Sequence, residues 1–404
     1  MALVLRNLIF MWTFGVISLH FGHCGGANLR CFQRTQLRGV FSPSDTGVAN
    51  FANKLFNLSS SGGQAAIVGV GIASATSRVE LKHVLKPAAI ALVLTHVVSW
   101  AFDAAMAWLL PGPPHSTTGH YWFLWTIAIA LLVVYIVDWR CERGRVHVAL
   151  LAAVIFAIDY IALPAHAHLD RPRVDALSPE ETSRQVFSTA WYVAQKKWHP
   201  FGIRALSRVP DVLLGYMAGP PVLRAAGRLR EKPAARAACA VFLLAAGYFQ
   251  AFYTPGWEDL RVPSTGELYA DSLPADPPFG SVCAYVTGAA KTAGKSLMTA
   301  AVLGAMLMAA PGARLPLLSW IGENPHLPYL FHPHLIRVLE PAVFAGLKAV
   351  AKGPLPGIEV PLVVAIPFLY HVICALPAAV SPERWGAGRA AAGGLGNLTT
   401  SQNR

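Results

Sequence analysis

Charged side chains are scarce in this chain of 404 residues. Asp, Glu, Lys and Arg together make up 13% of it, whereas hydrophobic residues make up 54%. Soluble domains carry about 25% charged residues, and a soluble chain of this length needs more polar surface to cover its core. The scarcity of charge therefore excludes most soluble enzymes and predicts an integral membrane protein with several spans, whose partner is the lipid bilayer.

Acidic residues are the scarcer charge, with 21 Asp and Glu against 33 Lys and Arg, which gives a net charge of +12. A nucleic-acid-binding protein clusters basic residues on a soluble face among stacking aromatics. Here the basic residues fall mostly in short connections between apolar stretches, so we expect no nucleic-acid partner. They instead indicate topology: basic connections 139–147 and 223–236 are predicted to be cytoplasmic, and the acidic loop 255–280 lies on the far side.

Cysteine and the common motifs of soluble enzymes are also lacking. The six cysteines form no CxxC pair and no spacing typical of a metal site. The chain has no P-loop, no GxSxG, no HExxH and no Rossmann glycine pattern before a strand-like segment. Hydrolase, kinase or dehydrogenase chemistry of the soluble type therefore lacks support, and we expect no bound metal or cofactor.

Long apolar runs are abundant, and they predict an all-α, polytopic transmembrane bundle of about eight spans. The predicted spans cover residues 87–110, 121–138, 146–165, 203–222, 237–254, 288–310, 327–347 and 359–380. They make up a transmembrane domain at 87–380, preceded by a linker at 61–86 and followed by a flexible tail at 381–404. Residues 1–60 resemble a targeting segment, either a secretory signal or an organelle transit peptide, so the particular membrane stays open.

The richest polar constellation lies between Trp320 and His334, where three histidines, three prolines and Tyr329 surround a predicted helix start. Broken backbone at membrane depth is tolerated only where protein or water lines it. The segment therefore lines a polar cavity that includes His332, or it is an interfacial turn in which aromatics and histidines anchor at the headgroups.

Other candidates lie within the predicted spans, where ionisable groups are costly and often functional. His96 acts as a base or hydrogen-bonds a neighbouring helix, and Asp103, seven residues on, either orients it or ends the helix. Arg204 has a guanidinium suited to phosphate oxygens. Arg208 and Asp211 are three residues apart, a spacing that predicts an ion pair.

Three segments together resemble the acyltransferase 3 family of integral-membrane O-acyltransferases. They are Gly322-Glu323-Asn324 with Tyr329-Leu330-Phe331-His332, Arg204 six residues before Pro210 with Leu213-Leu214-Gly215-Tyr216, and His120-Tyr121-Trp122-Phe123-Leu124. The family also has a basic residue eleven positions before a histidine in its first span. Lys86 and His96 are ten apart and no Ser-Gly turn follows, so we expect 87–110 to align with a later span and the family's two opening spans to be absent.

The resemblance implies transfer of an acyl group, such as acetyl, from acyl-CoA as co-substrate to a hydroxyl of a carbohydrate or related acceptor. It implies that His332 lies in or beside the acceptor pocket and that Tyr329 donates a hydrogen bond. Arg204 would hold the donor phosphates and His96 would act as the base. Two alternatives stay open: a polytopic transporter or carrier, and a catalytically inactive relative of the acyltransferases.

Overall fold

The computed structural model describes residues 62–76, 78–109, 122–142, 144–159, 203–253 and 300–310, with short pieces within 4–9, 312–313 and 332–373. Every regular element in these ranges is a helix, and they contain no strand, which confirms the all-α prediction for this part of the chain. The helices are α1 (Gly62–Ala75), α2 (Leu81–Val93), α3 (Ser99–Leu109), α4 (Trp122–Arg140), α5 (Arg145–Ala157), α6 (Ile203–Ser207), α7 (Val209–Arg230), α8 (Pro233–Tyr253) and α9 (Ala300–Ala309).

The described residues fall into two compact units. The first unit lies mainly within Ala65–Pro220 and contains α2 to α6 with most of α1 and α7. The second unit includes α8 and α9, which lie within Pro221–Arg261 and mostly within Ala301–Arg404.

Helix α1 meets α7 by close approach of the two backbones. A Cβ atom added at Gly69 would overlap the backbone of α7, and one added at Gly215 would overlap the backbone of Ala66. Gly215 and Gly219 form a GxxxG pattern, which allows two membrane helices to pack at this distance. Helix α1 lies in the segment for which the sequence predicts a linker, and it is a packed element of the first unit.

Helix α2 begins after Glu80, whose backbone N–H donates to Nδ1 of His83 at 3.0 Å. The exposed Glu80 carboxylate also pairs with the Nζ atom of Lys82 at 2.6 Å, and this hydrogen bond lowers the pKa of Glu80. A π-helical turn, Leu94–Val98, joins α2 to α3, so the chain is helical from Leu81 to Leu109.

The core of the first unit includes a contact between α2, α4 and α6. Ala91 of α2, Trp125 and Ala128 of α4, and Ala205 of α6 form one buried apolar cluster. The hydroxyl of Thr126 donates to the Ala205 carbonyl at 2.9 Å, which fixes α6 against α4. The small alanine side chains let the three helices pack closely around the Trp125 ring.

The region predicted as one span at 203–222 contains two helices in the structure. Helix α6 ends at Ser207 and α7 begins at Val209. Pro210 explains the break, because proline lacks the backbone N–H that would otherwise donate to the Leu206 carbonyl and continue the first helix. Helix α7 then runs to Arg230, so most of the basic connection predicted at 223–236 is helical, and α8 starts at Pro233.

In the second unit, Arg230 holds the end of α9. Its Nη1 donates to the carbonyl oxygens of Leu307 and Ala310, each at 2.7 Å. These groups belong to the last turn of a helix and the residue after it, where carbonyls lack partners within the helix. The Arg230 guanidinium therefore supplies a C-terminal cap from a distant part of the chain.

Two helices within the described ranges are long and apolar enough to cross a membrane, at Leu81–Phe102 and Trp122–Arg140. They correspond to the first two predicted spans. Shorter apolar helices, including Arg145–Ala157 and Pro233–Tyr248, coincide with later predicted spans. Most of the last two predicted spans, 327–347 and 359–380, lies outside the described residues, and the total of eight spans stays a prediction.

Candidate active site

A buried carboxylate and a buried imidazole meet at the point where α4 ends and α5 begins. The Oδ1 atom of Asp138 lies 2.7 Å from Nε2 of His147, and both side chains are 5% exposed or less. The Oδ2 atom of Asp138 accepts a hydrogen bond from the backbone N–H of Val79 at 2.9 Å. Both carboxylate oxygens are therefore engaged, which compensates the cost of burying the group.

The short connection between α4 and α5 brings these two side chains together. Asp138 lies in the last turn of α4 and His147 in the first turn of α5, and two helices joined by a few residues place those ends side by side. Arg78 adds a further bond, since its guanidinium donates to the Asp138 carbonyl at 3.1 Å. The segment before α2 therefore anchors the end of α4 through both the backbone and the side chain of Asp138.

A cavity of about 520 Å³ adjoins the imidazole. Helix α5 contributes Arg145 and His147, α7 contributes Tyr216 and Pro220, and Ala73 comes from the end of α1. The rings of His147 and Tyr216 have their centroids 6.2 Å apart. The volume lies within the range of small-molecule sites, and the lining is mostly apolar, with His147, Tyr216 and Arg145 among its residues.

The chemistry of the pair follows from its hydrogen bonds. An ionised carboxylate only accepts, so Nε2 of His147 carries the hydrogen that Asp138 receives. Nδ1 of a neutral imidazole then keeps its lone pair and is able to take up a proton. A buried carboxylate that orients a histidine recurs in acyl-transfer sites, where it holds Nδ1 and leaves Nε2 as the base, the reverse of the arrangement here.

Two residues predicted from the sequence lie in the same unit as this pair. His96 occupies the π-helical turn between α2 and α3, and its side chain is exposed, whereas Thr95 and Ser99 beside it are buried. Turns of this kind are frequent at functional sites. Arg204 lies on α6, but its side chain is outside the described part, as is that of Asp103. The predicted ion pair of Arg208 and Asp211 is confirmed, with Nη1 and Oδ2 3.4 Å apart.

The residues predicted near the end of the chain belong to the second unit. His332 is helical and buried, with 1% of its surface exposed. Tyr329 lies outside the described residues, as does most of the constellation from Trp320 to His334. The roles of His332 and Tyr329 therefore stay predictions. Among the described residues, no three His, Cys, Asp or Glu side chains are grouped closely enough to hold a metal ion.

The pair of Asp138 and His147 was not predicted, because the basic residues between them were interpreted as a topology signal. One feature could have pointed to it. Asp138 lies at the end of one apolar run and His147 at the start of the next, and only a short connection separates the two runs. Ionisable groups at such positions face each other when the two runs form adjacent helices.

The described part of the chain is all-helical, and two of its helices are long and apolar enough to cross a membrane. It also contains a buried carboxylate–imidazole pair beside a cavity. The family model described as an acyltransferase domain, acyltransferase 3, matches residues 81–381, about three quarters of the chain. The chain belongs to the acyltransferase 3 family, which confirms the resemblance seen in its motifs. No curated protein and no solved structure gave a match.

Proposed function

We propose that the protein is a multi-pass membrane O-acyltransferase. It moves an acyl group, such as acetyl, from acyl-CoA to a hydroxyl of a carbohydrate or related acceptor. The observation that carries the proposal is the family match over residues 81–381. A described cavity lined by groups suited to acyl transfer supports it.

The properties of the cavity favour a charged thioester donor. Arg145 supplies a guanidinium, whose fork matches phosphate oxygens such as those of coenzyme A. The cavity also lies beside the basic connection 139–147, which the charge pattern predicts to be cytoplasmic, the side on which acyl-CoA is made available. Arg204 on the neighbouring helix α6 is a second candidate for the donor phosphates.

The apolar surface of the described helices supports a location in the membrane. Large hydrophobic side chains are exposed along α3, α5 and α8, with Trp108 84% exposed, Val146 63% and Val241 64%. Large apolar side chains exposed on several helices suit contact with lipid, which covers them without the cost of contact with water. In the predicted bundle of several spans, these side chains would face the lipid.

The direct test uses the purified full-length protein in lipid vesicles with radiolabelled acetyl-CoA and an alkyl glucoside as the hydroxyl acceptor. Labelled ester that depends on the protein supports the enzyme. Uptake of intact label into the vesicles without ester indicates a carrier and contradicts the proposal. Absence of labelled ester on the glucoside and on the vesicle lipids also contradicts it.

A further inference from the structure

We propose that His147, oriented by Asp138, is the proton acceptor for acyl transfer at the cavity beside it. The inference rests on the proposed function and assigns the base to His147 instead of His96, which the resemblance implies and whose side chain is exposed. It starts from a contrast in burial. The side chains of Lys82 and Glu80, which also form an ion pair, are 71% and 57% exposed, whereas those of Asp138 and His147 are almost fully buried.

Burial of this pair is costly, and its geometry limits what the imidazole is able to do. With Oδ2 of Asp138 held by the Val79 N–H, Oδ1 is left to receive the His147 hydrogen at 2.7 Å. The carboxylate thus fixes both the ring orientation and the tautomer. A ring held in this way presents one basic nitrogen, Nδ1, without a reorganisation cost when the reaction begins.

A purely structural clamp between α4 and α5 accounts for the hydrogen bonds but not for the cavity. A clamp gains most when its surroundings are closely packed, because voids cost contacts. Instead, His147 borders a cavity of about 520 Å³ whose lining also includes Arg145 and Tyr216. This lining supplies a group for an anionic donor and a phenol able to donate a hydrogen bond.

The transfer step balances with these groups and the two substrates. The acceptor hydroxyl gives its proton to Nδ1 of His147 while its oxygen forms a bond to the thioester carbonyl carbon. The carbonyl oxygen becomes an oxyanion, for which the Tyr216 hydroxyl is a suitable donor. The carbon–sulfur bond then breaks, the carbonyl re-forms, and the leaving thiolate takes the proton back from the imidazolium.

The cavity also gives a role to a part of the chain that lies before the matched domain. Ala73, at the end of α1, lines the cavity, whereas the family match begins at residue 81. Helix α1 packs against α7 through Gly69, next to the backbone N of Tyr216. The site therefore depends on α1 both for its wall and for the position of the Tyr216 ring.

The test compares His147→Gln with His83→Gln in the full-length protein in vesicles. Glutamine at 147 still donates an N–H to Asp138 but has no basic nitrogen, so a clamp survives while a base is lost. Glutamine at 83 also removes an imidazole from the first unit, and it suits the third position of a helix as a capping residue. His83 lies outside the cavity lining.

We expect His147→Gln to lower the rate constant for acetyl transfer by about 10²–10⁴-fold, the usual contribution of a general base. KM for acetyl-CoA should change little, and His83→Gln should retain full activity. Added imidazole should restore part of the activity of His147→Ala by entering the cavity. Full activity of His147→Gln would overturn the inference and leave the proposed acyltransferase function standing.

A second measurement decides the inference without relying on turnover. Diethyl pyrocarbonate acylates an imidazole at its unprotonated nitrogen, and mass spectrometry locates the modified residue. We expect modification of His147 that acetyl-CoA prevents, whereas modification of His83 is unaffected. If the wild-type protein transfers no acetyl group, the proposed function fails. Protection of His147 by acetyl-CoA would still support a thioester site at this cavity. Modification of His147 that acetyl-CoA leaves unchanged would overturn the inference.

Discussion

Replacement of Asp138 by alanine tests the energetics of the buried pair. The substitution removes both acceptors and leaves two buried donors, the Val79 N–H and the His147 Nε2–H, without their carboxylate. Each orphaned donor costs about 1–3 kcal/mol, so the expected loss is roughly 2–6 kcal/mol.

Asparagine at the same position separates stability from reactivity. Its Oδ1 still accepts the Val79 N–H, and its amide nitrogen then faces Nε2 of His147. The imidazole satisfies this donor by moving its hydrogen to Nδ1, so few bonds are lost. We expect Asp138→Asn to lose much less stability than Asp138→Ala, and to lose acetyl transfer nonetheless, because Nδ1 is no longer basic.

The assay is chemical unfolding of the full chain in detergent, followed by far-UV circular dichroism. Glu142→Ala provides the control, since Glu142 is an exposed carboxylate in the same connection and its removal should change stability by less than about 0.5 kcal/mol. Equal stability of Asp138→Ala and the native protein would refute the argument. Full transfer activity of Asp138→Asn would refute the assigned tautomer.

Three further predictions concern other parts of the chain. Gly215→Ala should destabilise the protein by ~1–3 kcal/mol in the same unfolding assay, because the added Cβ would overlap the α1 backbone. The control Gly227→Ala should be neutral or slightly stabilising, because Gly227 has open space around it. The hydrogen bond from Lys82 holds the pKa of Glu80 below its ordinary value of 4.5, so the ionised Glu80 carboxylate stabilises the fold above that pH. The difference in stability between the native protein and Glu80→Gln should vanish as the pH falls through the lowered pKa. His332→Ala should abolish acetyl transfer without preventing membrane insertion, and unchanged ester formation would contradict its predicted role.

The helices that the sequence predicted well are those whose signal is local. The span predicted at 121–138 corresponds to α4 at Trp122–Arg140, because a long apolar run with an aromatic start and a basic end needs no tertiary information. Helix α1 was not predicted, since it is short and rich in glycine. Its stability depends on packing against α7, where glycine lets the backbones meet, and a pattern of hydrophobic residues alone does not reveal such contacts.

The site was less predictable than the fold because it depends on which groups become neighbours. Histidines inside apolar runs, such as His96, stand out in a sequence, yet the structure places this side chain on an exposed surface. Asp138 and His147 look like ordinary residues at helix ends. Their importance appears only when the turn between α4 and α5 brings them to 2.7 Å beside a cavity.

Acyl transfer releases a free thiol and forms an ester, and the most direct measurement counts both products of the reaction. The full-length protein in vesicles is given radiolabelled acetyl-CoA and an alkyl glucoside, and released thiol and labelled ester are quantified together. We expect equal amounts of thiol and ester, both reduced in His147→Gln. Thiol release without ester, or intact acetyl-CoA recovered inside the vesicles, would contradict the proposed acyl transfer.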